Sequence, residues 1–394
     1  MTAHHERLEP VGGPVLTRPF VALGAIAGVA MALVLWRFVV GLGPATALSD
    51  GYPWGAWKIF NVIVLTALAS GGYAVAILVY ALNRGEYHGV ARTAILTSAV
   101  GYTTGVLALG VDIGRPWNFW RLGAVWNWNL HSVLLEVAVC ISAYLIFLWL
   151  ELSPPFLEKW RRGPEGRLRH FARWLTPKLD AAFPFIVAAA ITLPSMHQSS
   201  LGSLFLLAGP RLHPLWQTPL LPLFFLLSCW FLGFACVVLV SLASSLAWGR
   251  PFETKVLASL SRVMAYVMLG FVAVRLADVI VRGAIVHAFR PEIYALAFWA
   301  EVAALTASSV LLLRRERRED AGSLLRLAAL AAFGGALYRL DASLVGFMPG
   351  GHWSYFPSLA ETVITLGFVA LAVMGYLFAV KKFPILPAAA PRRG

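Results

Sequence analysis

Ten apolar runs, each about the 20 residues a helix needs to cross a bilayer core, leave this chain few folds to choose from. They lie at roughly 19–41, 57–82, 91–111, 126–152, 181–208, 218–247, 257–281, 291–313, 323–347 and 356–380. A backbone in hydrocarbon must satisfy its own hydrogen bonds. The pattern therefore predicts an all-α integral membrane protein with about ten transmembrane helices. With 59% hydrophobic and only 13% charged residues, a soluble globular enzyme is excluded. The first run follows a polar stretch, 1–18, and has no small-residue cleavage site, so it reads as a retained helix.

The net charge of +13 would point to nucleic acid in a soluble protein. Here its distribution is topogenic, and no nucleic-acid partner is expected. Of 32 Lys and Arg residues, 23 fall in the tails and the connections after runs 2, 4, 6 and 8, and six in the other connections. Arg37, Arg275 and Arg339 lie within runs. The positive-inside rule then predicts that both termini are cytoplasmic. The basic connections 153–180 and 314–320 read as orientation signals that also touch lipid headgroups.

The outer connections differ in kind. Gly51-Tyr-Pro-Trp-Gly-Ala-Trp57, Asp112-Ile-Gly-Arg-Pro-Trp-Asn118, His213-Pro-Leu-Trp-Gln217 and Pro349-Gly-Gly-His-Trp-Ser-Tyr-Phe-Pro357 combine interfacial aromatics with Gly/Pro shaping. They suit a docking surface for an external protein close to Trp54, Trp117 and Trp216. A faint repeat relates Asp112, Arg115 and Glu136 to Asp278, Arg282 and Glu301 in the same orientation. Parallel repeats of this kind predict two four-helix bundles, helices 2–5 (57–208) and 6–9 (218–347). Helices 1 and 10 flank them within a 19–380 membrane domain, between tails 1–18 and 381–394.

Ionisable residues inside the membrane are expensive and mark function. Glu136, about ten residues into run 4, is expected 10–15 Å below the outer surface at 1.5 Å per residue, with only His131 near in sequence. A carboxyl at that depth without counter-ions is suited to exchange protons. His197 and Gln198 follow Pro194, which frees a backbone carbonyl one turn earlier. They offer the hydrogen-bond donors and the proton source that a quinone's two carbonyls require. Arg275 and Asp278 are three apart and are expected to pair on one face. Arg339 and Asp341 are two apart, which leaves Arg339 for another helix or a ligand. Glu361 completes the outer-end set. The inner halves offer only neutral groups such as Tyr80, Ser142, Tyr144 and Thr192, with no acidic route to the cytoplasm.

Cys140, Cys229 and Cys236 lie singly inside runs, so no iron–sulfur cluster is expected in this protein. A bis-His haem would have only His131 and His197 to draw on; His213, His287 and His352 lie in or near loops. No haem is expected.

Together with Asn83-Arg-Gly-Glu-Tyr-His88, Ser132-Val-Leu-Leu-Glu136, Met196-His-Gln-Ser-Ser200 and Tyr355-Phe-Pro357, these motifs resemble the NrfD/PsrC superfamily of quinone-interacting membrane anchors. Within it they are most similar to the HybB-type subunits of hydrogenase-2-like nickel–iron (NiFe) hydrogenases. The resemblance implies a bacterial inner-membrane subunit without haem and a menaquinone or ubiquinone site near the periplasmic side. It also implies a periplasmic ferredoxin-like iron–sulfur subunit and the hydrogenase large and small subunits as partners. By it, Glu136 matches the carboxylate associated with the quinone site. Asp278 departs from the family's Glu. The candidate set is Glu136, Asp112 and His197 for proton transfer, and His131, His197, Gln198, Arg115, Trp117 and Arg339 for quinone, with no metal ligands. An anchor for a molybdopterin reductase and a secondary transporter with a midplane carboxylate are the alternatives.

Overall fold

The structure, a computed structural model, describes residues 8–251, 253–351 and 353–388. His352 and the outer ends of both tails lie outside them. Among the described residues, ten helices are long and apolar enough to cross a membrane: α1 (Arg18–Val40), α2 (Ala56–Ala81), α3 (Gly85–Asp112), α4 (Val133–Arg162), α5 (Arg167–Leu206), α6 (Leu221–Trp248), α7 (Thr254–Val281), α8 (Ile293–Leu313), α9 (Ala321–Val345) and α10 (Leu359–Lys382). The protein is an all-α integral membrane protein.

Helices α6 to α9 close a ring in which each packs on its sequence neighbour and α9 returns to α6. Helices α2 to α5 form the other group, and α1 pairs with α10, which rests on α3. The groups are not independent bodies, because α6 also packs along α2 and α5 and one apolar core runs through both. Small residues allow this approach. A Cβ on Gly233 would meet the Ser70 carbonyl carbon at 2.8 Å and the Gly71 nitrogen at 2.9 Å, so α2 and α6 cross backbone to backbone. As a result α2 is central, with 83% of its apolar window buried, and α1 is peripheral, with 17%.

Both tails lie at one end, here the terminal end, where Leu8–Glu9 and Leu386–Pro387 pair as a short antiparallel ribbon. Arg250, in the α6–α7 connection, donates to the Pro387 and Pro10 carbonyls and ties down both tails. At the distal end, Gly51 and Gly55 let the α1–α2 connection close on the segment before α10. A Cβ on either would strike Trp353 or Tyr355. Glu361 anchors this closure. It accepts from the backbone amides of Ala47 and Ser358 and from the Tyr355 hydroxyl, and completes a capping box with Ser358. Its place in the outer-end set is thus structural.

Two spans depart from the expected boundaries. The fourth run was expected from 126, but Val125–Asn127 is a short 3-10 turn and α4 begins only at Val133, with Ser132 as its N-cap. Asn129 accepts from the His131 amide and Ser132 from the Leu135 amide there, local bonds that compete with an earlier helix start. Helix α5 starts fourteen residues earlier than its apolar run and continues through Pro177, Pro184 and Pro194 to Leu206.

Candidate functional site

A polar core lies inside the first group of helices. Gln198, fully buried on α5, donates to the Thr66 hydroxyl of α2 at 3.2 Å and to the Tyr102 hydroxyl of α3 at 3.0 Å. The Ser70 hydroxyl donates to the Thr66 carbonyl, so Tyr102 is placed to donate to Ser70 across 3.2 Å. His197, also fully buried, packs edge-on to Tyr102 with ring centroids 6.0 Å apart and sits by the Val137 backbone of α4. Tyr144 of α4 meets the other side of Tyr102 at 4.7 Å. One turn away, Trp230 donates to Tyr73 at 2.7 Å, and Tyr73 in turn is placed to donate to Ser195 at 2.7 Å.

Arg339 of α9 enters this core from the other group. Its guanidinium donates to the Ser228 hydroxyl (3.0 Å) and to the carbonyls of Ile63 (2.8 Å) and Phe225 (2.5 Å). Both backbones that it joins are irregular. Residues Ile59–Val64 of α2 and Asp341–Val345 of α9 are π-helical, a feature that concentrates at functional sites. Trp54 donates to the Ser343 carbonyl and closes the same seam.

The sequence-derived candidates divide into three sets. His197, Gln198 and Arg339 come together in the buried core. Arg115, Trp117 and His131 do not join them; they are exposed on the 113–132 loop at the distal end. Asp112 is buried, forms a 2.7 Å ion pair with Lys58 of α2, and lies in the field of the buried Arg37. Glu136 is not the buried carboxyl expected. Because α4 starts late, it sits in the first turn, about 5 Å along the axis from Val133, and its side chain is exposed on the flank of the bundle. A carboxylate is favoured there by the helix N-terminus.

At the distal end, α3, α4 and the 113–132 loop enclose a side-opening cavity of about 850 Å³, lined by Leu109, Gly110, Asn118, Arg121, Asn129 and Ser142 among others; Glu136 is not among its lining residues. The loop roofs it and exposes Trp117, Phe119, Trp120 and Trp126. Trp216 is fully buried instead, donating to Glu301 at 3.3 Å. Trp54 is half-buried against Phe347 at 4.7 Å, so of the three tryptophans expected at a docking surface only Trp117 is exposed, with Phe289 and Phe356 also exposed at the distal end.

In the second group, Arg275 and Asp278 do not pair with each other. Arg275 reaches Glu301 at 3.1 Å and the Leu215 carbonyl, while Asp278 takes Arg282 at 2.7 Å and the Thr218 hydroxyl. The repeat therefore keeps positions and not chemistry: Glu301 is buried and paired where Glu136 is exposed. Asp341, fully buried, accepts no hydrogen bond from a donor and lies beside Glu301. Sequence reasoning passed over Thr66, Ser70, Tyr102 and Ser228, neutral residues inside apolar runs. It also passed over Glu151, buried at the terminal end of α4.

Ten membrane-spanning helices around a buried polar core, with a side-opening cavity near one end, define a polytopic membrane subunit. The chain matches the family described as Polysulphide reductase, NrfD, over residues 44–342, and it belongs to that family. It is 36% identical, over 96% of its length and 95% of the relative's, to the Probable Ni/Fe-hydrogenase 2 b-type cytochrome subunit of Escherichia coli (strain K12). It is 31% identical over 42% of its length and 38% of the relative's to the Menaquinone reductase, integral membrane subunit, of Nitratidesulfovibrio vulgaris. Protein NrfD of Escherichia coli (strain K12) is 26% identical over 48% of this protein and 59% of its own length.

The first of these names raises haem b, for which the sequence offered one bis-histidine pair, His131 and His197. His131 is exposed on a loop, whereas His197 is enclosed against Tyr102. These donors do not fit a haem. Among the described residues, no group of three His, Cys, Asp or Glu is placed to hold a metal ion.

Proposed function

We propose that this protein is the membrane anchor through which an external iron–sulfur partner exchanges two electrons with membrane menaquinone or ubiquinone. The observation that carries the reading is the cavity between α3, α4 and the 113–132 loop, in a group of helices whose interior holds a buried donor network that Tyr102 of α3 joins. A quinone is apolar along its tail and offers two acceptors on its ring. The cavity's Leu109 and Ile141 suit the tail, and Asn118, Asn129 and Arg121 can donate to a carbonyl. Glu136, in the first turn of the α4 helix that lines the cavity, exchanges a proton with the ring, and His197 and Tyr102 lie in the buried core of the same group of helices.

In this reading the termini are cytoplasmic, the distal end is periplasmic, and the membrane is a bacterial inner membrane. The partner docks on the exposed aromatic face of the 113–132 loop, where Trp and Phe are enriched as at interface cores. The hydrogenase relative covers nearly the whole length, so the catalytic partner is a nickel–iron hydrogenase, reached through a ferredoxin-like iron–sulfur subunit. A quinone bearing a photoreactive tail tests the site. Labelled peptides from α3 and α4, competed by unmodified quinone, are expected. Labelling confined to α6–α9 would overturn the reading. Partners retained on purification identify the catalytic subunit, and a molybdopterin reductase in their place would replace the hydrogenase.

A further inference from the structure

We propose that the gap between α6 and α10 binds one acyl chain of an anionic phospholipid, whose headgroup lies at the terminal end beside Lys381. The inference concerns a second site and does not depend on the quinone reading.

Helix α10 leans on α3 and α6 on α2, which leaves a groove of about 400 Å³ between α6 and α10. Its floor lies where α3 and α2 touch: a Cβ on Gly101 would meet that of Ala69 at 2.5 Å. Gly101 and Ala69 are buried, whereas Ala243 and Ala247 of α6 and Val373 of α10, on the two rims, are exposed. The groove therefore opens on the flank of the bundle. Its hydroxyls are engaged within the protein. Thr97 donates to the Thr93 carbonyl, and Ser244 and Tyr376 bond to each other across the gap at 2.8 Å. Such a wall suits hydrocarbon.

The dimensions select the occupant. Along α6 the lining runs from Cys236 to Trp248, about 18 Å at 1.5 Å per residue. It starts near the middle of the span and ends at its terminal end, the depth of one leaflet of a hydrocarbon core about 30 Å thick. Spread over that length, the volume gives a mean cross-section of about 22 Å², against roughly 80–110 Å² for a helix 10–12 Å across. A transmembrane helix of a partner or of a second copy does not fit, and a single hydrocarbon chain does.

The terminal end of the groove supplies the headgroup site. Trp248 closes α6 there, as indoles do at a membrane interface. Lys381 follows Leu377, a lining residue of α10, by one turn. Its ammonium gives one hydrogen to the Pro14 carbonyl at 2.6 Å and has two others to offer. Lys382 adds a second cation, and the single acidic residue of α10, Glu361, is at the opposite end. A cation at this level attracts an anionic headgroup. A quinone would bring no anion to it.

The test uses the full-length protein, washed in detergent and examined by native mass spectrometry and lipid extraction. One phospholipid with an anionic headgroup is expected to stay on each wild-type chain. When phosphatidylglycerol and phosphatidylcholine are added back to delipidated protein, phosphatidylglycerol should bind about fivefold tighter, the factor that one surface cation supplies. Lys381→Gln should erase that preference and keep the binding itself. Ala243→Phe starts from an exposed rim and carries its ring into the groove, so it should weaken binding of both lipids at least about tenfold, the effect of losing roughly 1.4 kcal/mol. Val373→Trp does the same from the other rim and carries the test if Ala243→Phe fails to assemble. Wild-type lipid retention in both rim variants would overturn the site. An unchanged preference in Lys381→Gln would overturn the headgroup placement, and recovery of quinone in place of phospholipid would overturn the choice of ligand.

Discussion

Replacing Glu301 by Gln removes the charged partner of a guanidinium that is 1% exposed, yet Asp341 stands beside it as a second carboxyl. Arg275 donates to Glu301 Oε1 from Nε at 3.3 Å and from Nη2 at 3.1 Å. Hydrogen bonds to charged groups contribute about 1.5–3 kcal/mol. Gln keeps one acceptor, so Glu301→Gln should cost about 2 kcal/mol. Asp341→Asn, which loses no bond from a donor, should cost about 1 kcal/mol or less by the same scale. The double variant leaves Arg275 with no anionic partner, only the amide oxygen introduced at 301, the Leu215 carbonyl and the rings of Phe224, Phe298 and Tyr338. A buried charge stripped of its partner costs about 3–5 kcal/mol, so the double should exceed the sum of the singles by about 2 kcal/mol. Unfolding of the four proteins in detergent can be followed with a thiol-reactive dye, since Cys140 and Cys229 are buried. Additivity within about 0.5 kcal/mol, as for independent sites, would refute the idea that the two carboxyls share one cation.

Glu136→Gln should preserve assembly and dye-linked turnover while lowering quinone-linked turnover; an unchanged ratio of the two would make Glu136 structural. Gly202→Ala places a Cβ 2.5 Å from the Leu221 carbonyl oxygen and 2.8 Å from the Pro222 Cα. It should destabilise the α5–α6 turn by about 1–3 kcal/mol, the usual cost of overpacking, seen as a lower unfolding midpoint. In the α5–α6 connection, burial and then the neighbouring His287 push the His213 pKa down to about 4 from 6.5, with Glu292 opposing and Arg290 reinforcing. The unfolded state therefore takes up a proton that the native one refuses. The stability contributed by neutral His213 is complete above pH 6.5 and is lost as pH falls towards 4. His213→Phe should flatten the midpoint-against-pH curve across that window, and an unchanged slope would contradict the assignment.

The fold was legible because a bilayer dictates length and polarity so strongly. All ten runs are helices, and most ends agree within a few residues. Where the reading slipped, a competing interaction decided the local structure. Trp126 and Trp128 prolong an apolar run, but the asparagines between and beyond them turn the backbone, and Ser132 caps the helix that follows. That late start is why Glu136 is exposed. Arg275 and Asp278 satisfy the spacing rule for a pair, but each finds a better-placed partner on another element. The buried donors were legible where sequence marks them, at His197, Gln198 and Arg339. Tyr102, Thr66 and Ser70 were not, since a hydroxyl in an apolar run is ordinary until a neighbouring helix puts a donor against it. Glu151 was passed over near the inner end of run 4; only the packing of α4 shows that it is enclosed.

Gly110 offers the most direct test of the central claim, that quinone reacts at the first group of helices. It lines the cavity, and a Cβ built on it meets nothing within 4 Å. Gly110→Phe therefore starts its side chain in open space at the cavity wall and takes volume from the cavity, and replacing a helical glycine is favourable for the helix itself. The measurement is the ratio of quinone-linked to dye-linked turnover in the assembled complex. The account predicts a ratio at least about tenfold below wild type, the effect of losing roughly 1.4 kcal/mol of quinone binding or more, with dye-linked turnover intact. A wild-type ratio in a fully assembled Gly110→Phe complex would contradict it and place the quinone elsewhere.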